Sequence, residues 1–124
     1  MTRKVCYWIA IGLFSLAMTA SAVGYLSGSP RMADAFRHLG YPEYFRILLG
    51  VGKLVGVVAL LAPRVPTPVR EWAYAGFGIT MIAAAVSHRA SGDPMGNAVA
   101  PLIALVLLVV ARALWSKPVP STAQ

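Results

Sequence analysis

The stretch YFRILLGVGKLVGVVALL, residues 44–61, decides the fold class of this chain. It carries charge only at Arg46 and Lys53, and its length is close to the ~20 residues that a helix needs to cross a bilayer core. It ends at Ala62-Pro63-Arg64-Val65-Pro66-Thr67-Pro68, where the prolines cannot continue a helix. We therefore expect a transmembrane helix followed by a tight turn.

Three similar apolar runs accompany this stretch, at about residues 5–26, 72–88 and 98–115. Turn residues close the first and third of them, at Ser27-Gly28-Ser29-Pro30 and Ser91-Gly92-Asp93-Pro94. No alternating strand pattern competes with these runs. The sequence predicts an all-α, polytopic membrane protein with a four-transmembrane-helix bundle. Residues 1–117 would form this single domain, and residues 118–124 a disordered tail.

The composition also indicates a membrane protein. Of the 124 residues, 58% are hydrophobic and 12% are charged, and the mean hydropathy is +0.69. The 11 Lys and Arg against 4 Asp and Glu lie singly at the ends of apolar runs, where lipid headgroups account for them. They form no basic patch with interleaved aromatic residues, so we expect the lipid bilayer as a partner and no nucleic acid. Cys6 is the only cysteine, which excludes an internal disulfide and a cysteine-based zinc cluster.

The distribution of basic residues predicts the orientation of the chain, because cytoplasmic loops carry more Lys and Arg. If both termini are cytoplasmic, the inner side carries Arg3, Lys4, Arg64, Arg70, Arg112 and Lys117, and the outer side Arg31, Arg37, Arg46 and Arg89. This excess favours cytoplasmic termini. Residues 30–40 can form a short interfacial helix between the first two spans, with Met32, Phe36 and Leu39 toward the acyl chains.

The first apolar run has an alternative interpretation as a secretory signal peptide. A basic N-terminus, an apolar run and Ala20-Ser21-Ala22 follow the order of such a segment, and cleavage would remove residues 1–22. The apolar character continues through Val23-Gly24-Tyr25-Leu26, however, which makes the run long enough to span. We therefore favour a retained helix.

Lys53 is the most unusual residue of the quoted stretch, because a lysine deep in an apolar helix costs roughly 3 kcal/mol to insert. Two interpretations stay open. In the first, the ammonium faces the interior of the bundle and binds an anionic or carbonyl-bearing group. In the second, the flexible stem carries the charge outward to the headgroups.

His88, at the end of the third run, is a second candidate for ligand binding. Counting back by threes and fours places it on a stripe with Ala84, Thr80, Gly76 and Trp72. Such a face of small and polar residues is expected to point inward. If the helices alternate in direction, Lys53 and His88 border one outward-opening cavity, with Thr80 as a third candidate. An ordinary hydrogen-bonded role is the alternative for His88, and neither it nor His38 belongs to a metal-binding motif.

Glu71, Gly52 and Gly56 are candidates for structural or interface roles. Glu71 lies at the predicted start of the third helix, where a carboxylate satisfies free backbone N–H groups. We expect it to cap that helix or to pair with Arg64 or Arg70. Gly52 and Gly56 form a small-xxx-small pair, which lets another backbone approach closely.

Four segments together resemble the DoxX-like family of small bacterial four-helix integral membrane proteins. They are Phe36-Arg37-His38-Leu39-Gly40-Tyr41-Pro42, Leu49-Gly50-Val51-Gly52-Lys53-Leu54-Val55-Gly56, Glu71-Trp72-Ala73-Tyr74-Ala75-Gly76 and Ala85-Val86-Ser87-His88. The resemblance covers roughly residues 12–114. It implies a multi-pass protein of the bacterial inner membrane with a single core. DoxX relatives are associated with respiratory and sulfur oxidoreductase systems, with oxidative-stress complexes and with chaperoning of membrane proteins.

Two functional hypotheses follow. The favoured one is a non-catalytic membrane subunit or assembly factor that contacts a membrane-protein partner or a second copy, because the sequence holds no complete catalytic constellation. The alternative is a subunit of a membrane oxidoreductase system that binds a quinone or another small lipophilic ligand. No intrinsic cofactor is expected, and a quinone is the one candidate for a bound cofactor. The sequence does not identify catalytic residues. A transporter is a third and weaker hypothesis, since no inverted repeat is evident.

Overall fold

The computed structural model describes residues 2–115, which form five helices and contain no strand. They are α1 (Thr2–Leu26), α2 (Pro30–His38), α3 (Glu43–Leu61), α4 (Thr67–Ala90) and α5 (Met95–Leu114). The all-α class is confirmed. The main difference in bounds is that α4 begins at Thr67 rather than near residue 72, because a proline in the first helical turn costs no hydrogen bond. The predicted tail at 118–124 lies outside the described residues.

The four long helices lie side by side: α1 contacts α3 and α5, and α4 contacts the same two. Hydrogen bonds join the start of α1 to the end of α5, the start of α4 to the end of α3, and the end of α5 to the start of α4. We call this the terminal end of the molecule. The opposite end, which carries α2 and the loop between α4 and α5, is the α2 end. Consecutive long helices therefore run in opposite directions.

The core is built from apolar side chains of all four long helices. Its centre is an edge-to-face contact between Phe14 of α1 and Phe77 of α4, whose ring centroids are 5.0 Å apart. Around these rings lie Tyr7, Ala10, Ile11, Met18, Leu60, Tyr74, Met81, Leu108 and Ala111. The opposite faces of the helices expose large apolar residues such as Leu16, Val58 and Val106. An apolar exterior of this kind suits lipid rather than water.

Arginine side chains close the C-terminal ends of three long helices. The last carbonyls of a helix have no partner within it and carry partial negative charge, and in an apolar surrounding an unpaired carbonyl costs several kcal/mol. The guanidinium groups donate to these carbonyls: Arg46 to Tyr25 at the end of α1, Arg70 to Ala62 after α3 at 2.6 Å, and Arg3 to Ala113 and Leu114 of α5 at 3.1 and 3.3 Å. These three arginine side chains thus stabilise the fold by satisfying helix carbonyls.

Three helices of the described part are long and apolar enough to cross a membrane: Thr2–Leu26, Glu43–Leu61 and Met95–Leu114. α4 is not among them. It is of similar length, but it contains more alanine and more polar residues than the others. The count of four spans and the interfacial position of α2 therefore stay predictions, although the predicted helix within residues 30–40 is present as α2.

Candidate functional site

Lys53 lies inside the protein, with 6% of its surface exposed. Its ammonium donates to Ser21 Oγ of α1 at 2.7 Å and lies 4.2 Å from the ring centroid of Tyr25. The snorkelling interpretation is therefore wrong. An ammonium has three donors, and Ser21 is its one hydrogen-bond partner within residues 2–115. Donor capacity remains for a ligand.

A cavity of about 360 Å³ at the α2 end brings together the three candidates for ligand binding, Lys53, Thr80 and His88. Its other walls are mostly apolar and aromatic. They comprise Tyr25, Met32, Ala35, Phe36, Leu39, Tyr41, Phe45, Leu49, Ile79, Met81, Ala83, Ala84 and Ser87. An apolar chamber with a few convergent polar groups is the usual form of a small-molecule site.

Two helices end at the rim of this cavity with the same backbone motif. After α2, Gly40 N–H donates to the Arg37 carbonyl and Tyr41 N–H to the Phe36 carbonyl. After α4, the N–H groups of Gly92 and Asp93 make the equivalent bonds to the carbonyls of Arg89 and His88. This Schellman arrangement needs a left-handed residue, which Gly40 (φ +86°) and Gly92 (φ +77°) supply. It turns the side chains of Tyr41 and Asp93 back toward the rim.

Asp93 joins both histidines, which are 50 positions apart in the chain. His88 Nδ1 lies 2.7 Å from Asp93 Oδ2, and His38 Nε2 lies 2.5 Å from Oδ1. Each imidazole donates an N–H to the carboxylate, so Nε2 of His88 is not used in this cluster. The bonds from His88 and His38 hold the pKa of Asp93 below its usual range. The sequence does not predict this cluster, because His38 and Asp93 are 55 positions apart in the chain.

A second link at the rim joins the hydroxyl groups of Tyr41 and Ser87. Together with the bond between His38 and Asp93, it ties α2 and the segment after it to α4 and the following loop. The ring of Phe36, on α2, meets Tyr25 with centroids 4.9 Å apart. These contacts hold α2 against the cavity, and we call α2 the roof of the cavity.

Arg46 is a site residue that the sequence analysis missed. It was assigned to the outer headgroups, but it is 4% exposed. It donates to the carbonyl of Tyr25 and, at 3.2 Å, to Glu43. It thus holds the residue whose ring lies against the Lys53 ammonium. The signal was present in the sequence, since a lone arginine one turn into an apolar helix needs a partner.

The stripe that ends at His88 does not point inward over its whole length. Trp72 is 78% exposed, and Gly76 is exposed as well. The buried face of α4 consists instead of Tyr74, Phe77, Met81 and Ala85. The predicted direction is wrong for the first half of the stripe. Trp72, Gly76 and Thr80 line an open groove of about 470 Å³ between α3 and α4.

The hydroxyl hydrogen of Thr80 is already used within its own helix, which limits what Thr80 can offer a ligand. Its hydroxyl donates to the carbonyl of Gly76, one turn back in the same helix, at 2.7 Å. A hydroxyl has one hydrogen to donate, so Thr80 can offer a ligand only its oxygen and its methyl group. The donors for a carbonyl or an anion must therefore come from Lys53, from whichever of Tyr41 and Ser87 accepts in the bond between them, or from Nε2 of His88 when it carries a proton.

Glu71 and the two glycines have distinct structural roles. Glu71 pairs with Arg112 of α5 through two hydrogen bonds of 2.7 and 2.8 Å. The predicted cap is wrong, because Pro66 is the N-cap of α4. A Cβ atom on Gly56 would lie 2.5 Å from the Phe77 ring, whereas one on Gly52 would meet nothing within 4 Å. Gly56 therefore serves close packing inside the protein, and Gly52 faces the groove.

The polar groups of the cavity are arranged so that they can bind a ligand. Within residues 2–115 no group of three His, Cys, Asp or Glu side chains is arranged to hold a metal ion. Asp93 is already bonded to both histidines. The arrangement can donate hydrogen bonds to a carbonyl or an acid group while enclosing an apolar body.

Comparison with known proteins gives the family. The DoxX-like family profile matches residues 9–111, most of the chain. The chain belongs to the DoxX-like family. No curated protein and no solved structure shows significant similarity to this DoxX-like protein. The match covers Lys53, Glu71, His88 and every residue that lines the cavity, whereas Arg112, the partner of Glu71, lies one residue beyond its end.

Proposed function

We propose that this DoxX-like protein is a non-catalytic, multi-pass membrane subunit whose cavity at the α2 end binds a small lipophilic ligand with a carbonyl or acid group. The leading candidate is a quinone of a membrane oxidoreductase system. The observation that carries the proposal is the buried ammonium of Lys53, which lines a mostly apolar cavity with His88. A buried cation is costly and is retained where it meets a partner, and a ligand carbonyl or acid would be such a partner.

The membrane arrangement is part of this proposal. α4 packs between α3 and α5, both of which can span a membrane, so all four long helices would cross the bilayer. Arg3, Lys4 and Arg70 surround a cavity of about 450 Å³ at the terminal end together with Trp8 and Trp115. An excess of basic residues is typical of the cytoplasmic side, and aromatic residues are typical of either interface. Both termini would then be cytoplasmic, and α2 would lie in the outer interface.

Labelling of single cysteines tests this topology. In a Cys6→Ser background, Ser91→Cys is expected to react with a membrane-impermeant maleimide in intact cells. Arg64→Cys is expected to react only after the membrane has been opened. The reverse pattern would place the termini outside, and equal reactivity at both positions would contradict a fourth span between them.

The ligand proposal is tested by the thermal stability of the detergent-purified protein with a panel of quinones and anionic lipids. A ligand at about 100 times its Kd stabilises a folded protein by about 2.7 kcal/mol. We expect stabilisation of the wild type and of Lys4→Met, the matched control at the terminal end, and none of Lys53→Met. Equal stabilisation of all three proteins would contradict a role of Lys53 in binding.

The second candidate function is that of an assembly factor or partner-binding subunit. The observation in its favour is that Gly52 and Gly76 leave open space on the two walls of the groove between α3 and α4. A helix of a partner or of a second copy can approach closely over such residues. Co-purification of a membrane protein that is lost in Gly76→Leu, together with an absence of quinone stabilisation, would favour this candidate.

A further inference from the structure

The groove between α3 and α4 has walls and a floor. Gly52 and Val55 on α3 and Trp72 and Gly76 on α4 are exposed along it. Its floor is closed where the Phe77 ring lies against Gly56, since a Cβ atom there would come within 2.5 Å of the ring. The missing side chains at Gly52 and Gly76 keep the slot above this floor open. Its outer side faces what would be lipid.

The groove adjoins the cavity at the α2 end. Both are lined by Leu49, Lys53 and Thr80. Lys53 therefore lies where the two adjoin, so that a polar head bound to its ammonium in the cavity would be close to the start of the groove. On the other side of the cavity, α2 forms the roof and is tied down by the bonds from His38 to Asp93 and between Tyr41 and Ser87. A ligand in the cavity thus has an apolar exit along α3 and α4.

We propose that this groove holds the hydrocarbon chain of the ligand whose head occupies the cavity, so that the ligand is a long-chain amphiphile that enters sideways from the bilayer. The inference rests on the proposed function and deepens it by naming the ligand class. The chain runs from Thr80 toward Trp72, which is about 12 Å along α4 at 1.5 Å per residue. The exposed side chains of Trp72 and Val69 lie toward the far end.

The test compares two probes, a benzoquinone without a side chain and the same benzoquinone with a decyl chain. Equilibrium binding of both is measured in nanodiscs and expressed per mole of quinone in the bilayer. Because lipid already solvates the chain, the groove adds packing rather than transfer energy. We expect the wild type to bind the decyl probe about tenfold more tightly, a difference of about 1.4 kcal/mol.

Gly76→Leu is the decisive variant, since its side chain would fill the groove without meeting any protein atom close to the Cβ position. It is expected to remove the preference for the decyl probe and to leave the affinity for the chain-free probe unchanged. Gly52→Leu, on the opposite wall, is expected to give the same result. It replaces Gly76→Leu in the test if that variant does not fold. Gly12→Leu is the matched control, because Gly12 is equally open but lies on α1 outside the groove.

The outcomes separate the two proposals. If the wild type binds both probes but Gly76→Leu and Gly52→Leu keep the preference for the decyl probe, the groove does not hold the chain and the inference is overturned. If those variants instead change the oligomeric state and not the preference, the groove is a helix interface, and the inference again fails. If the wild type binds neither probe, the proposed function fails with it.

Discussion

The terminal end and the α2 end of this molecule both carry charged side chains with partners inside the protein, but they use them differently. At the terminal end Glu71 pairs with Arg112, and the guanidinium groups of Arg3 and Arg70 donate to helix carbonyls. The positively charged side chains there donate hydrogen bonds to other parts of the same protein. At the α2 end the Lys53 ammonium has one bond to Ser21 and lines a cavity. A charged residue in an apolar helix is therefore informative about binding only when its partners do not use all of its donors.

This comparison divides the expected effects of substitutions into two classes. Changes at the terminal end and in the core should cost stability and leave ligand affinity unchanged. Changes around the cavity should alter ligand affinity at little cost in stability. On α3 the two regions meet within a single turn. Gly52 has open space beside it, whereas Gly56 packs against the Phe77 ring of the core.

The largest stability effect is expected for Gly56→Ala. The added methyl group would overlap the Phe77 ring, which is buried and held against Phe14, and overpacking of this kind costs about 1–3 kcal/mol. Gly52→Ala, one turn away, should be neutral or slightly stabilising because alanine is the better helix former. Denaturant unfolding of the two variants in detergent measures the difference, and equal stabilities would place the boundary elsewhere.

The next largest effect is expected for Glu71→Gln at the terminal end. Arg112 would lose a bidentate partner, although the two side chains are 40% and 30% exposed, and solvent screening reduces the cost to about 1–2 kcal/mol. Asp34→Asn removes the exposed pair with Arg37 and is the control, with an expected change below about 0.5 kcal/mol. A Glu71→Gln protein that loses ligand affinity at unchanged stability would break the division between the two ends.

Tyr41→Phe tests the roof over the cavity. The variant loses the bond to Ser87 but keeps the ring contacts with Phe36 and Phe45, so the expected loss of stability is only about 1 kcal/mol. Faster ligand dissociation should accompany it, because α2 is held less firmly. Ser87→Ala should reproduce both effects. An unchanged dissociation rate in both variants would show that the roof does not restrain the ligand.

The smallest expected effect is the pH dependence of the link between α2 and the loop after α4. Because the folded protein lowers the pKa of Asp93, its contribution to stability is complete above the ordinary range of a carboxylate and is lost as pH falls through the lowered pKa. The difference in Tm between wild type and Asp93→Asn should therefore shrink between about pH 5 and pH 3. A difference that grows in this range would contradict the assigned bonds.

The sequence predicts the helices well, because their limits are set by local chemistry. Ser27-Gly28-Ser29-Pro30 ends α1, and the glycines after α2 and α4 adopt the left-handed conformation that ends a helix. The start of α4 was placed too late, because three closely spaced prolines were treated as one turn. Pro66 is the N-cap and Pro68 lies in the first turn, positions at which proline needs no amide hydrogen.

The site was predicted only in part, because its pieces are far apart in the chain. The alternating direction of the helices was enough to bring Lys53 and His88 to one cavity. The pairing of His38 with Asp93 spans 55 positions and that of Glu71 with Arg112 spans 41. Such pairs depend on the rotation of each helix about its axis, which weakly amphipathic helices do not reveal in their sequence.

The central claim is that the ammonium of Lys53 is available to a ligand in the cavity, and the most direct measurement observes that nitrogen. The chain contains only three lysines, Lys4, Lys53 and Lys117, so protein labelled with ¹⁵N at the lysine side chains gives few signals. The Lys53 signal is assigned with a Lys53→Arg variant. During titration with the decyl benzoquinone, we expect the Nζ resonance of Lys53 to shift while that of Lys4 stays constant. A stationary Lys53 resonance, or equal shifts of all three, would contradict the account.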